Sequence, residues 1–203
     1  NAGNGGGVYV INTSSVTLDK TDVYNNTAAN GGGMYVAAPA SVILTNDSDI
    51  HHNTATTIGG GVRLWGTLTG NDWNSSITDN SAPDGGGVSV PGGELQLNGS
   101  HILRNTATDV DGRGGGIFAS SSATVVIDAS SNVAANDAYQ GAGIYADSSE
   151  ITLYTSVIHS NEATGHGGGL YLSNNSVLST SNMSLGFAAQ DANEAVNGGG
   201  IYS

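Results

Sequence analysis

Short apolar runs recur along this chain, and within each run the apolar residues alternate with other side chains. Val8-Tyr9-Val10 and Val16-Thr17-Leu18 are typical, and Gly, Ser, Thr or Asn bounds each run. Because successive side chains of a strand point to opposite faces, the alternation predicts half-buried β-strands. No long segment places apolar residues at helical spacing, so we expect an all-β fold.

A glycine triplet followed by an apolar residue divides the sequence into repeats. The triplets begin at Gly5, Gly31, Gly59, Gly85, Gly114, Gly141 (as Gly-Ala-Gly), Gly167 and Gly198, at spacings of 26, 28, 26, 29, 27, 26 and 31 residues. A nearly constant period of this length indicates a repeat architecture in which each unit packs on its neighbours.

A second signature, Asn-x-Ala, precedes each triplet after the first. Its Asn residues are Asn26, Asn53, Asn80, Asn105, Asn136, Asn161 and Asn193. An Ile or Val lies three residues before six of them, namely Val23, Ile50, Ile77, Ile102, Val133 and Ile158. The seventh copy breaks this rule, which we attribute to an insertion around residues 186–191.

Each repeat holds three alternating runs and no helix, which predicts a coil of three short strands stacked on the next coil as a parallel β-solenoid. We expect residues 1–203 to form one domain of about seven coils. Inward side chains would then form columns of like residues. One column is Val8, Met34, Val62, Val88, Ile117, Ile144, Leu170 and Ile201, and the next is Val10, Val36, Leu64, Val90, Ala119, Ala146 and Leu172.

Glycine and asparagine suit the corners of such a coil. Glycine permits positive φ and close backbone approach, and an Asn before the corner tolerates left-handed geometry. Stacked Asn amides would also hydrogen-bond from coil to coil as a ladder.

The Gly-Gly-Gly-Ile/Val motif with Ile/Val-x-x-Asn upstream resembles the Gly-Gly-Ala-Ile and Phe-x-x-Asn repeats of polymorphic outer membrane proteins, which are adhesins. It is also similar to the right-handed parallel β-helix repeats of large secreted bacterial and archaeal surface proteins. The resemblance implies a right-handed coil, a secreted or cell-surface location and adhesion as the commonest role. The same coil also carries lyases and hydrolases, so the fold alone does not decide function.

The charge balance narrows the partners. Seventeen acidic residues against four basic ones give a net charge of −13. Nucleic acid is therefore not expected as a partner, because phosphate contacts require Lys and Arg. No apolar run is long enough to span a membrane, so we expect no membrane insertion by this segment. The chain has no Cys, and disulfides therefore do not hold the fold.

One outward position is rich in aromatic residues. It lies between the two core columns and holds Tyr9, Tyr35, Arg63, Ser89, Phe118, Tyr145, Tyr171 and Tyr202. Stacked along one face, the six aromatic residues predict an exposed strip that binds glycans or a host or neighbouring cell surface. Alternatively, the rings stabilise the sheet by cross-strand contact, with Arg63 stacked on Tyr35.

Candidate chemistry is sparse. Asp109 and Asp111, followed by Gly112, have the spacing that begins a calcium loop, but the motif stops after two carboxylates. A solvated turn is the alternative. If the chain acts on polysaccharide, we expect the groove near Arg104, Asp109, Asp111 and Arg113 to do so.

The histidines do not predict a site. Gly165-His166-Gly167 resembles the tripeptide of polygalacturonase-type hydrolases, but the carboxylate segments of that family are missing, and His166 occupies a variable corner position. His51 and His52 are adjacent in a strand run, so their side chains are expected on opposite faces, unable to chelate one metal.

These observations favour a non-enzymatic adhesin passenger, stalk or fibre segment, with a polysaccharide-binding or polysaccharide-degrading protein as the alternative. The chain opens and stops in register, with no polar cap at either end. We therefore expect a segment of a longer solenoid, or copies that stack end to end into a fibre.

Overall fold

The computed structural model describes residues 2–186 and 191–203, and its strands fall into four parallel sheets. Sheet I contains Val8–Val10, Met34–Val36, Val62–Leu64, Val88–Pro91, Ile117–Ser120, Ile144–Asp147, Leu170–Ser173 and Ile201–Tyr202. Sheet II contains Ser15–Asp19, Ser41–Thr45, Thr67–Gly70, Glu94–Asn98, Thr124–Asp128, Glu150–Tyr154 and Val177–Ser181. Sheet III contains Val23–Tyr24, Asp49–His51, Ser76–Thr78, His101–Leu103, Asn132–Ala134, Val157–His159 and Ser184–Leu185. Sheet IV contains Ala2–Asn4, Thr27–Asn30, Thr54–Ile58, Ser81–Ala82, Thr106–Ala107, Asp137–Gln140 and Glu162–His166.

The prediction of a parallel β-solenoid is confirmed, but each coil has four strands rather than three. Sheets I, II and III correspond to the three runs read from the sequence. Sheet IV is the Asn-x-Ala segment itself, in which the inward residue is a small alanine such as Ala28 or Ala55. An alternation between alanine and threonine has little apolar contrast, which is why the sequence pattern hid this strand.

The core columns form as expected. Val8 pairs with Met34 and Val10 with Val36, and the same register continues from coil to coil. Both columns are buried through the middle of the rod. Leu172 is partly buried against the core, and Ile201 in the last coil is exposed. Parallel strands lie about 4.8 Å apart, so like residues pack on like residues along the axis.

The predicted asparagine ladder is also confirmed. In each step the Oδ1 atom accepts two bonds from the Asn of the preceding coil: for Asn80, from the backbone N–H of Asn53 at 2.9 Å and from its Nδ2 at 3.0 Å. The Nδ2 atom of Asn80 donates in turn to the carbonyl of Ile50 at 2.8 Å. Asn53, Asn80, Asn105, Asn136 and Asn161 are almost completely buried. The ladder therefore satisfies polar groups that would otherwise be costly to bury.

The glycine triplets fit around this ladder. The first Gly of each triplet has a φ between 56° and 70°, a conformation that other residues adopt at a cost. The third Gly packs on the Asn amide: a Cβ on Gly87 would lie 3.0 Å from Cγ of Asn105 and 2.6 Å from the carbonyl oxygen of Gly116. The triplet is therefore needed for close approach as well as for the corner.

The expectation that the Asn itself takes left-handed geometry is wrong. The residue before it does so, with φ values from 54° to 56° at Asn25, His52, Asp79, Arg104, Ala135 and Ser160. The ladder Asn must keep its backbone N–H aimed along the rod, so the chain turns one residue earlier.

The expected insertion at residues 186–191 lies largely outside the described residues, since 187–190 are not described. Beyond it the repeat resumes: Asn193 accepts from the Nδ2 of Asn161 at 2.8 Å, and Glu194 pairs in parallel with Glu162.

Candidate functional site

The aromatic column of sheet I is a stack of rings in contact. Centroids lie 5.3 Å apart for Tyr9 and Tyr35, 5.6 Å for Phe118 and Tyr145, 4.8 Å for Tyr145 and Tyr171, and 5.0 Å for Tyr171 and Tyr202. His166 extends the stack, 4.7 Å from Tyr202. Such ring pairs stabilise neighbouring strands, which is the cross-strand role predicted as the alternative to a binding strip.

The expectation of a fully exposed strip is wrong in the middle of the column. Phe118 and Tyr145 are only 7% and 8% exposed. The guanidinium of Arg113 covers them, at 4.8 Å and 5.7 Å from the two ring centroids. Asp84 fixes that guanidinium through an ion pair of 2.7 Å, which raises the pKa of Arg113. The strip is open in the first coil, where Tyr9 is 53% exposed, and half-buried at Tyr171 and Tyr202 towards the other end.

The loop with Asp109 and Asp111 borders a cleft on the outside of sheet IV. The cleft has a volume of about 340 Å³, and Asp109, Tyr139, Asp137 and Glu162 are among its lining residues. Asp109 Oδ1 accepts the N–H of Val110 at 2.9 Å, as in a turn. Asp111 is exposed and does not line the cleft.

A column of carboxylates passes this cleft, and Asp137 and Glu162 line it. Asp137 pairs in register with Glu162, and Glu162 pairs with Glu194. Partial burial, and then the charge of Glu162, raise the pKa of Asp137. The sequence carried the signal, because the middle residue of Asn-x-Ala changes from Thr or Ser to Asp or Glu in the last three copies. The three predicted runs do not include that residue, so the sequence pattern does not predict the column.

The two arginines of the predicted groove are engaged in ion pairs. The guanidinium of Arg104 donates to both carboxylate oxygens of Asp79, from Nε at 3.0 Å and from Nη2 at 2.9 Å. Arg113 forms an ion pair with Asp84. Partial burial alone would raise the pKa of Asp79, but hydrogen bonds from Arg104 and Thr78 bring it below its usual value. The structure thus gives both arginines a local carboxylate partner.

A family model describing the right-handed beta helix region matches residues 1–185. The chain belongs to the right-handed β-helix family. No curated protein and no solved structure matches it significantly. The family match supports the handedness that the resemblance implied and leaves the adhesin type to be tested.

In this β-helix no helix of the described residues is long and apolar enough to cross a membrane. Nor do residues 2–186 and 191–203 bring three or more His, Cys, Asp or Glu side chains together as a metal-holding group. Calcium binding by the loop with Asp109 and Asp111 stays a prediction.

A notch interrupts the corner between sheets I and II of this β-helix. Four residues separate Val36 from Ser41, but only two separate their register partners Leu64 and Thr67. The following coils have three and then four residues at the same corner. The shortened corner leaves a cleft of about 430 Å³, lined among others by Trp65, Gly66, Gly93 and Glu94.

Trp65 forms one wall of this cleft, which we name the Trp65 notch. The residue is 41% exposed, and the guanidinium of Arg63 lies 5.6 Å from its ring centroid. The ring on which Arg63 stacks is therefore Trp65, whereas the predicted partner was Tyr35, its neighbour in the sheet. Burial lowers the pKa of Arg63. Gly93 forms the floor, since a Cβ there would lie 2.6 Å from the carbonyl oxygen of Leu64.

The prediction that His51 and His52 point to opposite faces is wrong. Their Nδ1 atoms lie 2.8 Å apart, because His52 has a φ of 54° and folds its ring back towards its neighbour. His166 behaves as a corner residue, in contact with Asn197 and Tyr202.

Proposed function

We propose that the chain is a non-enzymatic structural and adhesive rod, secreted or displayed at the cell surface, as an adhesin passenger, stalk or fibre segment. The observation that carries this proposal is the buried ladder, which runs from Asn26 to Asn193 alongside four parallel sheets. A rod braced equally along its length suits a role in reach and rigidity.

Contact with a partner would occur at the exposed aromatic groups. Trp73 is 62% exposed and Trp65 41% exposed, both in the third coil, while Tyr171, Tyr202 and His166 form a half-buried stack towards the other end. Glycans and cell surfaces are the proposed partners, because exposed rings pack on the C–H faces of sugars and on apolar surfaces.

Binding and turnover should be measured together on the purified chain. Fluorescent beads coated with it are expected to adhere to cells or to immobilised glycans, with no new reducing ends or unsaturated products. Depolymerisation of any tested polysaccharide, abolished in Asp137→Asn or Glu162→Gln, would reject the non-enzymatic proposal.

Polysaccharide recognition is the second candidate, and the Trp65 notch favours it. The notch has the volume of a small-ligand site, about 300 Å³ or more, and combines one aromatic wall with polar groups. Trp65→Ala is expected to weaken binding of a neutral glucan or mannan at least tenfold. Trp73→Ala is the matched control, since it removes a more exposed indole from the same coil outside the notch. Equal losses in both variants would exclude the notch.

Stacking of further coils or of a second copy on the last coil remains part of the proposal. Ile201 continues an inward column and is 41% exposed there, and a stacked coil would bury it. Sedimentation over a hundredfold range of concentration tests self-stacking, and a concentration-independent monomer would reject it.

A further inference from the structure

His51 and His52 form a pair of imidazoles at the corner between sheets III and IV. Their Nδ1 atoms are 2.8 Å apart, and their ring planes meet at 84°. Tyr24 of the preceding coil stacks on His51, with a centroid distance of 5.2 Å and an angle of 3° between the rings. His51 is half-buried and His52 is exposed, so the pair is held in place yet open to solvent.

We infer that this pair binds one divalent transition-metal ion, with Cu²⁺ or Ni²⁺ preferred. An imidazole nitrogen binds such metals at about 2.0 Å, so two ligands at right angles are about 2.8 Å apart. Two ligands of a tetrahedral ion would be about 3.3 Å apart. The observed Nδ1 separation therefore matches neighbouring positions of a square-planar or tetragonal ion, the geometry typical of Cu²⁺ and Ni²⁺.

To accept the ion, the metal-free pair must shift one proton and turn its rings. One Nδ1 donates its hydrogen to the other, so that ring must move the proton to Nε2, and both rings must then rotate so that their Nδ1 lone pairs face the metal and no longer each other. Each imidazole stays neutral throughout. The remaining coordination positions face solvent on the side of exposed His52, and water fills them.

The surroundings of the pair do not repel a cation. The carboxylate of Asp79 lies close enough to His52 that the two interact electrostatically. The same carboxylate pairs with the guanidinium of Arg104 at 2.9 Å, so this basic group is neutralised and adds little repulsion. The chain as a whole carries a charge of −13, which raises the local concentration of cations.

The chain contains a matched site in which one ligand is missing. His159 occupies the outward position of sheet III at which His51 lies, and its Nδ1 is 3.0 Å from Oγ of Ser160. Ser160 has a φ of 54°, the value found at His52. The same left-handed turn is therefore present at both corners, and a hydroxyl replaces the second imidazole.

Titration calorimetry of the 203-residue chain with Cu²⁺ and Ni²⁺ tests the inference, together with electron paramagnetic resonance of the Cu²⁺ form. We expect one equivalent, and an axial signal with coupling to two nitrogens. His51→Ala and His52→Ala should each weaken binding at least tenfold, and His159→Ala should leave it unchanged. Ser160→His should add a second equivalent of similar affinity.

Circular dichroism of each variant establishes that its coils are intact. Unchanged metal binding in His51→Ala and His52→Ala would overturn the inference. So would a folded Ser160→His that binds no second ion, because the two corners share the same left-handed turn. The site would equally be rejected if the unaltered chain bound no metal. A lower melting temperature of His51→Ala would in that case show that the pair is only a stabilising hydrogen bond.

Discussion

Replacing Asn105 by Ala is a direct test of the ladder, because the side chain is fully buried in the middle of the rod. Asn105→Ala removes four hydrogen bonds. Oδ1 accepts from the backbone N–H and the Nδ2 of Asn80 at 3.0 and 3.1 Å, and Nδ2 donates to Ile77 O and Asn136 Oδ1 at 2.9 and 3.1 Å. The variant leaves the backbone N–H of Asn80 buried without this acceptor.

The magnitude follows from these bonds. A hydrogen bond contributes about 1 kcal/mol net, and a buried donor left unpaired costs about 1–3 kcal/mol. Three of the lost bonds contribute about 1 kcal/mol each, and the fourth leaves the N–H of Asn80 unpaired at about 1–3 kcal/mol. We therefore expect Asn105→Ala to lower the free energy of unfolding by about 4–6 kcal/mol. Losses of that size are confined to a few mechanisms, of which a broken buried network is one.

Urea denaturation followed by circular dichroism measures this change. Thr106→Ala is the control, since it alters the next residue, whose side chain is only half-buried on the outer face of sheet IV. Its expected effect is about 0.5 kcal/mol. If Asn105→Ala came within about 1 kcal/mol of Thr106→Ala, the ladder would not be a main source of stability and the reasoning would be refuted.

Three further changes test other parts of the structure. Gly87→Ala should cost about 3 kcal/mol in urea denaturation, because its Cβ would lie 2.6 Å from a carbonyl oxygen of the next coil. Asp137→Asn should stabilise the protein at pH 7 and have no effect at pH 3. Because the carboxyl pKa of Asp137 is raised in the folded state, the protonated group is tolerated at low pH, and stability is lost as the pH rises through the folded pKa and the group becomes charged. An effect of Asp137→Asn that did not depend on pH would contradict the raised pKa as its cause. Arg113→Ala should cost about 1 kcal/mol by uncovering Phe118, and Arg113→Lys should recover less than half of that loss, because Lys lacks the planar fork; full recovery would contradict the stacking.

Most of the interior could be predicted from the sequence, because inward positions are constrained twice. Each inward residue must be apolar for burial and must also match the residue one coil away. The result is an apolar residue that recurs at a nearly constant period, as at Met34, Val62 and Val88. The fourth strand escaped prediction because alanine fills its inward position, and alanine is common in loops as well as strands.

The candidate sites could be predicted only in part, because they depend on backbone geometry that single residues do not reveal. The pairing of His51 with His52 follows from one positive φ, and the pattern of a strand gives no sign of it. The Trp65 notch follows from a corner two residues shorter than its neighbour. The sequence predicts the sheet I register on one side of this corner, at Leu64, but the sheet II register on the other side, at Thr67, comes from the structure.

The candidate sites share a location for a physical reason. A strand residue of the rod must fit the strands above and below it, about 4.8 Å away, so a change there disturbs two neighbouring coils. A corner needs only to connect two strands, and corners with two, three or four residues coexist between sheets I and II. The Trp65 notch, the Asp109 loop and the His51–His52 pair all lie at corners. Variation in binding between related rods is therefore expected to concentrate at corners, while the ladder and the apolar columns stay the same.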